Sequence, residues 1–440
     1  MKRYPEYKES GVEWIGEIPG HWEIGRIEHI ATLISQRSTP EIDAIKISPE
    51  NVEPKTGQVL DFYSPHDSVG VKFQAGDVLF NKLRVYLSKV VFAKYSGYSL
   101  GEMLVVRPSL QDTGKYLFYL MLSPRFIEYC DSVSYGVKMP RTAVDDILKA
   151  KIPLASDQEQ IQIVNFLDRK TGQIDELIRI KARRVELLQE QRTVLIHQTV
   201  TKGLDPNVEL KPSGIEYIEE IPKHWEILEV KHVGSSNPSK NNPKTDPLND
   251  KPVVFLPMER VHTDGTIDQE LRVPYSQLKS GYTYFEENDI LIAKVTPCFE
   301  NGKIVLIRNL ATPVGFGSTE FIVIRPNPQK VFPPFLYYTV YNAPLRSIGK
   351  HSMTGAVGLK RVPTRFVENF QIPIPTYQEQ TQIANFLDRK TQQIDELVSI
   401  EQRSIELLKE YRQTLIYEVV TGKIDIRGEV KSVKSVKAAI

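Results

Sequence analysis

The chain has 440 residues, 41% hydrophobic and 25% charged, an ordinary globular composition and a length sufficient for two or three cores. No apolar run reaches the roughly 18 residues of a membrane span. The first ten residues lack the apolar stretch of a secretory signal, so we expect a cytoplasmic protein. Two cysteines, Cys130 and Cys298, exclude a disulfide framework and a thiolate metal site. A net charge of +1 neither requires nor excludes nucleic acid, because the local distribution of charge decides that question.

A short segment near the start of the chain recurs in its second half. Residues 10–24 read SGVEWIGEIPGHWEI and residues 213–227 read SGIEYIEEIPKHWEI, at an offset of 203. Each copy contains one histidine, His21 or His224, with no second metal ligand nearby. We therefore expect a structural segment in which the adjacent tryptophans, Trp22 and Trp225, pack as anchors.

The regions that follow share a strand pattern although their sequences have diverged. Residues 77–82 (DVLFNK) match residues 289–294 (DILIAK), and residues 102–108 (EMLVVRP) match residues 320–326 (EFIVIRP). These apolar and β-branched runs predict strands. The pattern therefore predicts two domains of mixed α/β type, each with a twisted sheet, whose loops carry the differences.

Basic residues concentrate in stretches of these domains that contain no acid. One stretch lies between residues 77 and 102 and another between residues 346 and 365, while residues 137–141 (VKMPR) align with residues 357–361 (VGLKR). Such loops suit a phosphate backbone, and arginine can hold guanine with two hydrogen bonds. For any single stretch, a solvated strand face above aromatic core residues is the alternative. The candidate DNA-binding residues are Lys82, Arg84, Lys138 and Arg141 in the first domain and Lys294, Lys350, Lys360 and Arg361 in the second.

The longest predicted elements are two helices that begin with nearly the same sequence. Residues 158–180 and 378–400 are identical at 18 of 23 positions. A Ser or Thr followed three residues later by Glu precedes each helix, which is the spacing of a capping box, and a glycine follows each predicted end. Each helix should therefore contain about 45 residues. The residues concerned are Ser156, Glu159, Thr376, Glu379, Gly203 and Gly422.

Apolar residues on both helices follow the three-four spacing of a coiled-coil seam. They are Ile174, Ile178, Val185, Leu188 and Leu195 in the first helix and Ile394, Val398, Ile405, Leu408 and Leu415 in the second. Charged residues interrupt the seam at equivalent positions, where they set the register or are surface residues whose charged ends reach solvent. These are Lys181, Glu401, Arg192 and Arg412. Antiparallel pairing within the chain, about a pseudo-twofold axis, is the economical arrangement and predicts a rigid spacer.

Catalytic motifs are absent from the sequence. It contains no GxxxxGK[ST] nucleotide loop, no HExxH zinc helix and no CxxC pair. Residues 332–335 (FPPF) resemble the Asn-Pro-Pro-aromatic tetrapeptide of amino-methyltransferases, but Phe332 replaces the asparagine that holds the target amino group. We interpret this segment and residues 315–317 (GFG) as turns, and we expect a chain that is not itself an enzyme.

Together these features resemble the specificity subunits of type I restriction-modification systems over essentially the whole chain. The resemblance rests on Ile-Pro-x-His-Trp-Glu at 18–23 and 221–226, on the Gln-Glu-Gln helix starts ending at Gln160 and Gln380, and on Asn-Phe-Leu-Asp at 165–168 and 385–388. In that family, two target-recognition domains each read one half of a split DNA sequence, and the helices set the distance between the halves.

The resemblance implies an α/β (α+β) fold with two target-recognition domains separated by two spacer helices. The predicted segments are the first domain at 1–156 with an opening segment at 1–21, the first helix at 157–202, the second domain at 203–376, the second helix at 377–421 and a tail at 422–440. Implied partners are double-stranded DNA, two modification subunits that methylate adenine and restriction subunits, with no membrane. S-adenosylmethionine, ATP and Mg²⁺ are implied for those partner subunits, and no cofactor is expected in this chain.

Two other functions are compatible with parts of the pattern. A coiled-coil adaptor that binds proteins through the two domains would show no salt-dependent DNA affinity. A methyltransferase fused to its own recognition domain would bind S-adenosylmethionine. The acid-free loops argue against the first alternative, and the missing cofactor motifs argue against the second.

Overall fold

The computed structural model describes residues 2–62, 69–110, 113–240, 251–278, 280–356 and 359–429. The chain forms two compact units, Met1–Arg183 with Glu401–Ile440, and Arg184–Ile400. We call them unit 1 and unit 2. This division passes through both long helices, so each unit contains one domain and a half of each helix; the five predicted segments stay a prediction. Val357 and Gly358 of the aligned VGLKR segment, and residues 430–440 of the predicted tail, lie outside the described residues.

The domain of unit 1 contains short strands and short helices that precede the first long helix. Its strands are β1 (Tyr7–Glu9), β2 (Glu17–Pro19), β3 (Glu23–Arg26), β4 (Ala31–Ile34), β5 (Arg37–Ser38), β6 (Lys46–Ile47), β7 (Gly70–Phe73), β8 (Val78–Asn81), β9 (Val90–Phe92), β10 (Gly97–Ser99), β11 (Met103–Pro108) and β12 (Lys151–Leu154). Its helices are α1 (Ile27–Ile30), α2 (Gly114–Leu122), α3 (Pro124–Ser132) and α4 (Val144–Leu148), followed by α5 (Asp157–Lys202).

Two four-stranded sheets form the centre of this domain, in the orders β4-β11-β8-β9 and β5-β7-β10-β6. Strand β8 is buried along its whole length because its two faces contact different cores. Val78 and Phe80 pack in the core that contains α2 and α3, whereas Leu79 packs with Phe73 of the second sheet. A strand buried on both faces is continuously apolar, which explains the sequence pattern of this strand.

Unit 2 follows a similar plan, although the fourth strand of its second sheet lies at the opposite edge of that sheet. Its strands are β13 (Leu210–Ile215), β14 (Ile218–Pro222), β15 (Glu226–Glu229), β16 (Gly234–Ser236), β17 (Pro252–Leu256), β18 (Arg272–Pro274), β19 (Thr283–Phe285), β20 (Ile290–Ala293), β21 (Ile304–Leu306), β22 (Gly315–Gly317), β23 (Phe321–Pro326) and β24 (Gln371–Ile374). Its helices are α6 (Val230–Val233), α7 (Tyr275–Leu278), α8 (Pro333–Tyr341), α9 (Ala343–Ser352), α10 (Thr364–Glu368) and α11 (Tyr377–Val420). The sheets have the orders β16-β23-β20-β21 and β18-β17-β22-β19.

The two domains therefore share one mixed α/β fold, as the strand pattern predicted. A repeated ion pair supports the equivalence: Arg107 donates two hydrogen bonds of 2.8 Å to Asp77, and Arg325 donates bonds of 2.8 and 2.7 Å to Asp289. Both carboxylates are almost fully buried. A bidentate pair of this kind fixes the two central strands in register as well as satisfying the buried charge.

Two segments that we interpreted as turns belong to regular elements. Residues 315–317 form strand β22, which is buried at the centre of its sheet. Residues 333–335 form the start of α8, where proline occupies the first helical positions. Proline is favoured there because the first helical amides have no intrahelical acceptor. The turn prediction was wrong because proline and glycine mark helix starts and buried strands as well as turns.

The predicted long helices are confirmed, with 46 residues in α5 and 44 in α11. Gly203 and Gly422 follow their last turns with φ of +76° and +71°, the left-handed conformation that closes a helix. Strands β12 and β24 lead into the two helices, and the capping contact is present in each. Glu159 N donates to Ser156 Oγ over 3.4 Å, and Glu379 N donates to Thr376 Oγ1 over 3.4 Å.

The repeated opening segments anchor these helix starts. In unit 1 the buried Glu159 carboxylate accepts hydrogen bonds from Tyr4 and Trp22, at 2.7 and 3.1 Å, and lies 2.9 Å from His21 Nε2. Burial, reinforced by the bond to Glu159, raises the pKa of Tyr4, so its phenol remains a donor. Glu379 has the same role in unit 2, where His224 Nε2 lies 2.8 Å from it. The predicted packing of Trp22 and Trp225 as anchors is confirmed, since both are fully buried.

The Asn-Phe-Leu-Asp segments attach each helix to its domain. In unit 1, Tyr119 of α2 donates to Asp168 over 2.8 Å and lies 3.2 Å from the Thr171 hydroxyl. In unit 2, Tyr338 makes the equivalent contacts with Asp388 and Thr391 over 2.8 and 3.1 Å. Burial raises the pKa of both tyrosines, which keeps these phenols protonated as donors. The repeated sequence therefore encodes the joint between domain and helix.

Within unit 1 the beginning of α5 lies antiparallel to the end of α11. Lys181 Nζ lies 2.8 Å from Glu401 Oε2, and Arg412 Nε lies 2.8 Å from Asp175 Oδ1. As the residue number falls along α5 it rises along α11, which defines the antiparallel direction. Unit 2 contains the counterpart pair, with Arg192 Nε 3.0 Å from Asp395 Oδ1.

All predicted seam residues are buried or half-buried. Ile174, Ile178, Leu408 and Leu415 join the core of unit 1, and Leu195 packs against the core of unit 2. The charged residues in the seam are also covered, and each has an ionic partner on the other helix. The alternative of surface residues reaching solvent is wrong for these four positions. Their pairing is compatible with a role in setting register.

Candidate nucleic-acid interface

The basic residues predicted in unit 1 meet at the base of a loop that follows α3. Tyr135 and Arg141 exchange two backbone hydrogen bonds of 2.9 Å, which close the loop 136–140. This loop is joined to the segment after β8, because Arg84 N donates to Pro140 O over 2.8 Å and Thr142 N donates to Lys82 O over 3.0 Å. Residues 82–84 and 138–141, far apart in sequence, are therefore neighbours. We call this arrangement the basic junction.

A glutamate lies inside the basic junction of unit 1. Glu102 is 3.2 Å from Lys82 Nζ through one carboxylate oxygen and 3.2 Å from Arg141 through the other. The basic stretches contain no acidic residue in the sequence, but the fold places Glu102 among them. The expectation of an acid-free surface was therefore wrong. Among the described residues, no carboxylate forms an ion pair with Arg84 or Lys138. Four cations against one carboxylate leave the junction positive.

Unit 2 contains an equivalent basic junction. Arg361 and Thr354 exchange backbone hydrogen bonds of 2.8 and 3.0 Å, and Thr296 N donates to Lys360 O over 2.9 Å. Glu320 accepts two bonds of 2.8 Å from the Arg361 guanidinium. The hydrogen bonding by Arg361 lowers the pKa of the Glu320 carboxyl, and the positive charge of Lys294 lowers it further. Val362 N donates to Lys294 O over 2.8 Å, as Thr142 does to Lys82.

The remaining candidate lies on a different element. Lys350 is exposed on α9, and its Nζ is 3.2 Å from Glu300. The structure thus brings together Lys82, Arg84, Lys138 and Arg141 in unit 1 and Lys294, Lys360 and Arg361 in unit 2, whereas Lys350 stands apart from the bonded framework. All eight assignments to DNA contact remain predictions.

The exposed tips of these junctions were missed by the sequence reasoning. Tyr135, Val137 and Met139 are all solvent-exposed around the loop of unit 1, and Leu359 is exposed in unit 2. The signal that could have found them is the alignment of 137–141 with 357–361, in which an apolar residue precedes the last two positions in both copies. Glu102 and Glu320 also stand at equivalent positions of the aligned strand segments.

Among the described residues, no three His, Cys, Asp or Glu side chains are grouped so that they could hold a metal ion. A cavity of about 420 Å³ in unit 1 is lined by the joint residues Asp168 and Thr171 and by Arg412. No described helix is both long and apolar enough to cross a bilayer.

Comparisons with known proteins agree with this architecture. A family model described as the type I restriction modification DNA specificity domain matches residues 19–187 and 222–410. The EcoEI type I restriction enzyme specificity subunit of Escherichia coli is 34% identical over 225 residues, covering 51% of this chain and 36% of that protein. The EcoAI subunit of the same organism is 35% identical over 237 residues, covering 53% and 38%. The chain therefore matches little more than a third of the length of these two relatives.

A more distant relative and two solved structures match most of the chain. The MjaX protein of Methanocaldococcus jannaschii, a putative type I restriction enzyme specificity subunit, is 25% identical over 96% of this chain and 98% of its own length. A chain solved in a study of complex assembly and conformational transition of the type I R-M system has a TM-score of 0.69 at 15% identity, covering 92% and 99%.

The HsdS subunit from Thermoanaerobacter tengcongensis has a TM-score of 0.50 at 17% identity, covering 92% of this chain and 98% of that one. At such identities these structures show a common fold. The family model, in contrast, matches well over half of the chain and matches it twice, once in each repeat. The chain therefore belongs to the family of type I restriction modification DNA specificity domains.

Proposed function

We propose that this chain is the sequence-specific DNA-binding subunit of a type I restriction-modification complex. Each domain reads one half of a split DNA site. The observation that carries the proposal is the basic junction, which is built from the same backbone bonds in both repeated units. A duplicated positive site suits two half-sites on one polyanion, since each contact to a phosphate releases a counterion.

In each basic junction, the framework and the tip have different roles in DNA recognition. Phosphate contacts from the lysines and arginines position each domain, and residues at the loop tips reach base edges. Glu102 and Glu320 hold arginine side chains in fixed directions, which lowers the entropy lost on binding. The long helices determine the distance between the two readings, so the affinities of the two half-sites combine through effective concentration.

The helices also provide a second apolar surface that their own seam leaves uncovered. We call it the outer stripe. In unit 1 it contains Leu177 and Ile180 of α5 with Leu407 of α11; in unit 2 it contains the equivalent Leu397, Ile400 and Leu187. Repeated exposed apolar residues on a helix face mark a protein interface. The outer stripes dock two modification subunits, one in each unit, and the restriction subunits join that assembly.

Catalysis belongs to those partners and not to this chain. The modification subunits methylate adenine with S-adenosylmethionine, and the restriction subunits use ATP and Mg²⁺. The sequence lacks the GxxxxGK[ST] loop of nucleotide-binding enzymes, and Phe332 replaces the asparagine of the amino-methyltransferase tetrapeptide. The complex acts in the cytoplasm, where its DNA substrate lies.

The test is to express the full chain with its modification partner and to map methylated adenines in the host genome. A split motif with a constant spacer supports the proposal, and replacing residues 22–156 by those of a relative should change one half only. Methylation without sequence preference, or a change in both halves, contradicts independent reading by the two domains. A non-catalytic adaptor would produce no motif.

A further inference from the structure

The tip of the basic junction in unit 1 is apolar, which is unexpected on a positive surface. Within five residues the loop exposes 62% of Tyr135, 48% of Met139 and the whole of Val137. Single exposed apolar residues are ordinary, but a cluster at a projecting tip indicates a binding surface. Hydrophobic burial on contact is therefore built into a loop that also carries Lys138 and is closed by Arg141.

Backbone hydrogen bonds hold the base of this loop. Its closing pair, Tyr135 and Arg141, is bonded in both directions, and Gly136 forms the turn with φ of +94°. Below the closing pair, the buried Thr142 donates to Cys130 O over 3.0 Å and lies 2.8 Å from the Ser134 hydroxyl. A rigid base with an exposed tip is preorganised for contact, because little conformational entropy remains to be lost.

The charges around the tip determine what it touches. Arg84, Lys138 and Arg141 surround it, and Glu102 neutralises only a part of their charge. An apolar protein surface would leave these cations desolvated without partners, whereas DNA offers phosphates on both sides of a groove. The apolar group that DNA presents in its major groove is the 5-methyl group of thymine.

We propose that Val137 and Met139 enter the major groove and read thymine methyl groups in the half-site of unit 1. This inference rests on the proposed function and deepens it. Unit 2 carries Leu359 at the position equivalent to Met139, and the neighbouring Pro140 is replaced by Lys360. In sequence, Gly358 of unit 2 aligns with Lys138 of unit 1, so the lysine precedes the apolar residue in unit 1 and follows it in unit 2. The two domains therefore read different features through one framework.

The experiment replaces thymine by deoxyuridine, which removes the methyl group and leaves base pairing unchanged. The half-sites are first identified by methylation mapping, and affinity is then measured with the complex of the full chain and its modification subunits. Each half-site contains thymine opposite the adenine to be methylated. Removing one buried methyl should weaken binding about fourfold, from the transfer free energy of about 0.8 kcal/mol per buried carbon.

Two variants make the result specific. Val137→Ala with Met139→Ala should abolish the distinction between thymine and uracil in the half-site of unit 1 and leave it intact in the other half-site. Leu359→Ala is the matched control, because it removes an equivalent apolar side chain in unit 2 and should not alter reading of the first half-site. All three side chains are exposed, so thermal melting should show unchanged folding.

Two results would overturn the inference. One is a wild-type complex that binds thymine and uracil equally in the first half-site while still binding a split motif. The other is a double variant that loses the same affinity on both DNAs, which would indicate a wedge between base pairs. A complex that recognises no DNA sequence refutes the proposed function itself, so the two failures are distinguishable.

Discussion

Lys181 and Glu401 occupy the same position in the two copies of the repeat, and their side chains form an ion pair of 2.8 Å. Equivalent residues meet in this way because the two helices are antiparallel at this point. If both copies had kept the same charge, two like charges would lie side by side in a covered seam. Divergence of the two copies to opposite charges is therefore what makes this contact stabilising.

Reversing one charge of this pair should destabilise the fold. Lys181→Glu would place two carboxylates together at a position where Glu401 is almost fully buried, and breaking such a pair costs about 3–5 kcal/mol. The free energy of unfolding, measured in urea, reports the change. The exchanged variant, Lys181→Glu with Glu401→Lys, should recover most of the loss. If the exchanged variant lost as much stability as the sum of the losses in the two single variants, the pair itself would contribute nothing.

The second ionic contact of the seam tests how a domain is joined to the helices. The buried Arg412 guanidinium donates to Lys55 O and Thr56 O over 3.3 and 3.0 Å. Its Nε forms an ion pair with Asp175 without hydrogen-bond geometry, and its Nη2 donates a hydrogen bond to Asp175 Oδ2 over 3.4 Å. Asp175→Ala leaves a buried cation without its counter-charge, so we expect a loss of about 3–5 kcal/mol in urea denaturation. Gln173→Ala, at an exposed position of the same helix, is the control and should leave the unfolding midpoint unchanged.

The Glu379 carboxylate at the start of the second long helix should make the stability of the fold decrease as the pH is lowered. Burial alone would raise the pKa of Glu379, but hydrogen bonds with His224, Thr376 and Trp225 outweigh it and lower that pKa. A carboxyl whose pKa is lowered in the folded state contributes its full stabilisation of the fold when the pH is above its ordinary pKa of 4.5. This contribution is lost as the pH falls through the pKa of the folded state.

Glu379→Gln removes this titration. The variant should be less stable than the wild type at neutral pH, and the gap between the two should narrow in urea titrations as the pH falls below 4.5. Glu396→Gln, on the exposed side of the same helix, is the control. A constant gap at all pH values would contradict the role of the Glu379 charge.

The basic junction of unit 2 should determine how strongly DNA binding depends on salt. Lys360→Ala with Arg361→Ala removes two cations from the junction, so specific affinity should fall. The slope of the logarithm of the DNA association constant against the logarithm of the salt concentration is negative, and its magnitude should decrease by about 0.9 for each phosphate that the protein no longer neutralises. Lys409→Ala, an exposed cation on α11, is the control and should change neither quantity. Unchanged affinity in the double variant would remove these residues from the interface.

The outer stripes should determine how many modification subunits are bound. Leu177→Glu with Ile180→Glu places charges on exposed apolar positions of unit 1, so the chain should remain folded. We expect a complex with one modification subunit instead of two, as measured by native mass spectrometry. Leu397→Glu with Ile400→Glu should remove the other subunit, and all four changes together should remove both. Gln173→Glu is the control, and retention of two subunits in every variant would contradict the docking surface.

The repeated elements were predictable because local sequence determines them. Capping residues, helix-forming composition and a following glycine specify the limits of α5 and α11, and apolar runs specify strands such as β8 and β20. Where the prediction was wrong, at residues 315–317 and 332–335, local composition was compatible with two structures. Packing against neighbouring strands and helices decided between them.

The basic junction could be only half predicted. Lysine and arginine were recognised in acid-free stretches, but Glu102 pairs with Lys82 and Arg141 across 20 and 39 residues of sequence. Such an arrangement depends on the backbone bonds that join the loop 136–140 to the segment after β8. Linear charge patterns contain no information about these distances.

The chain alone shows a duplication, two long helices, strands at matching positions and a family, because each of these follows from short-range pattern or from comparison of one copy with the other. The fold was needed to show that Lys181 faces Glu401. It also shows that Tyr4, His21 and Trp22 all contact the Glu159 carboxylate, and that an apolar tip projects from a cationic base. These features join residues separated by up to 220 positions. Only the packing of sheets and helices brings such residues within bonding distance.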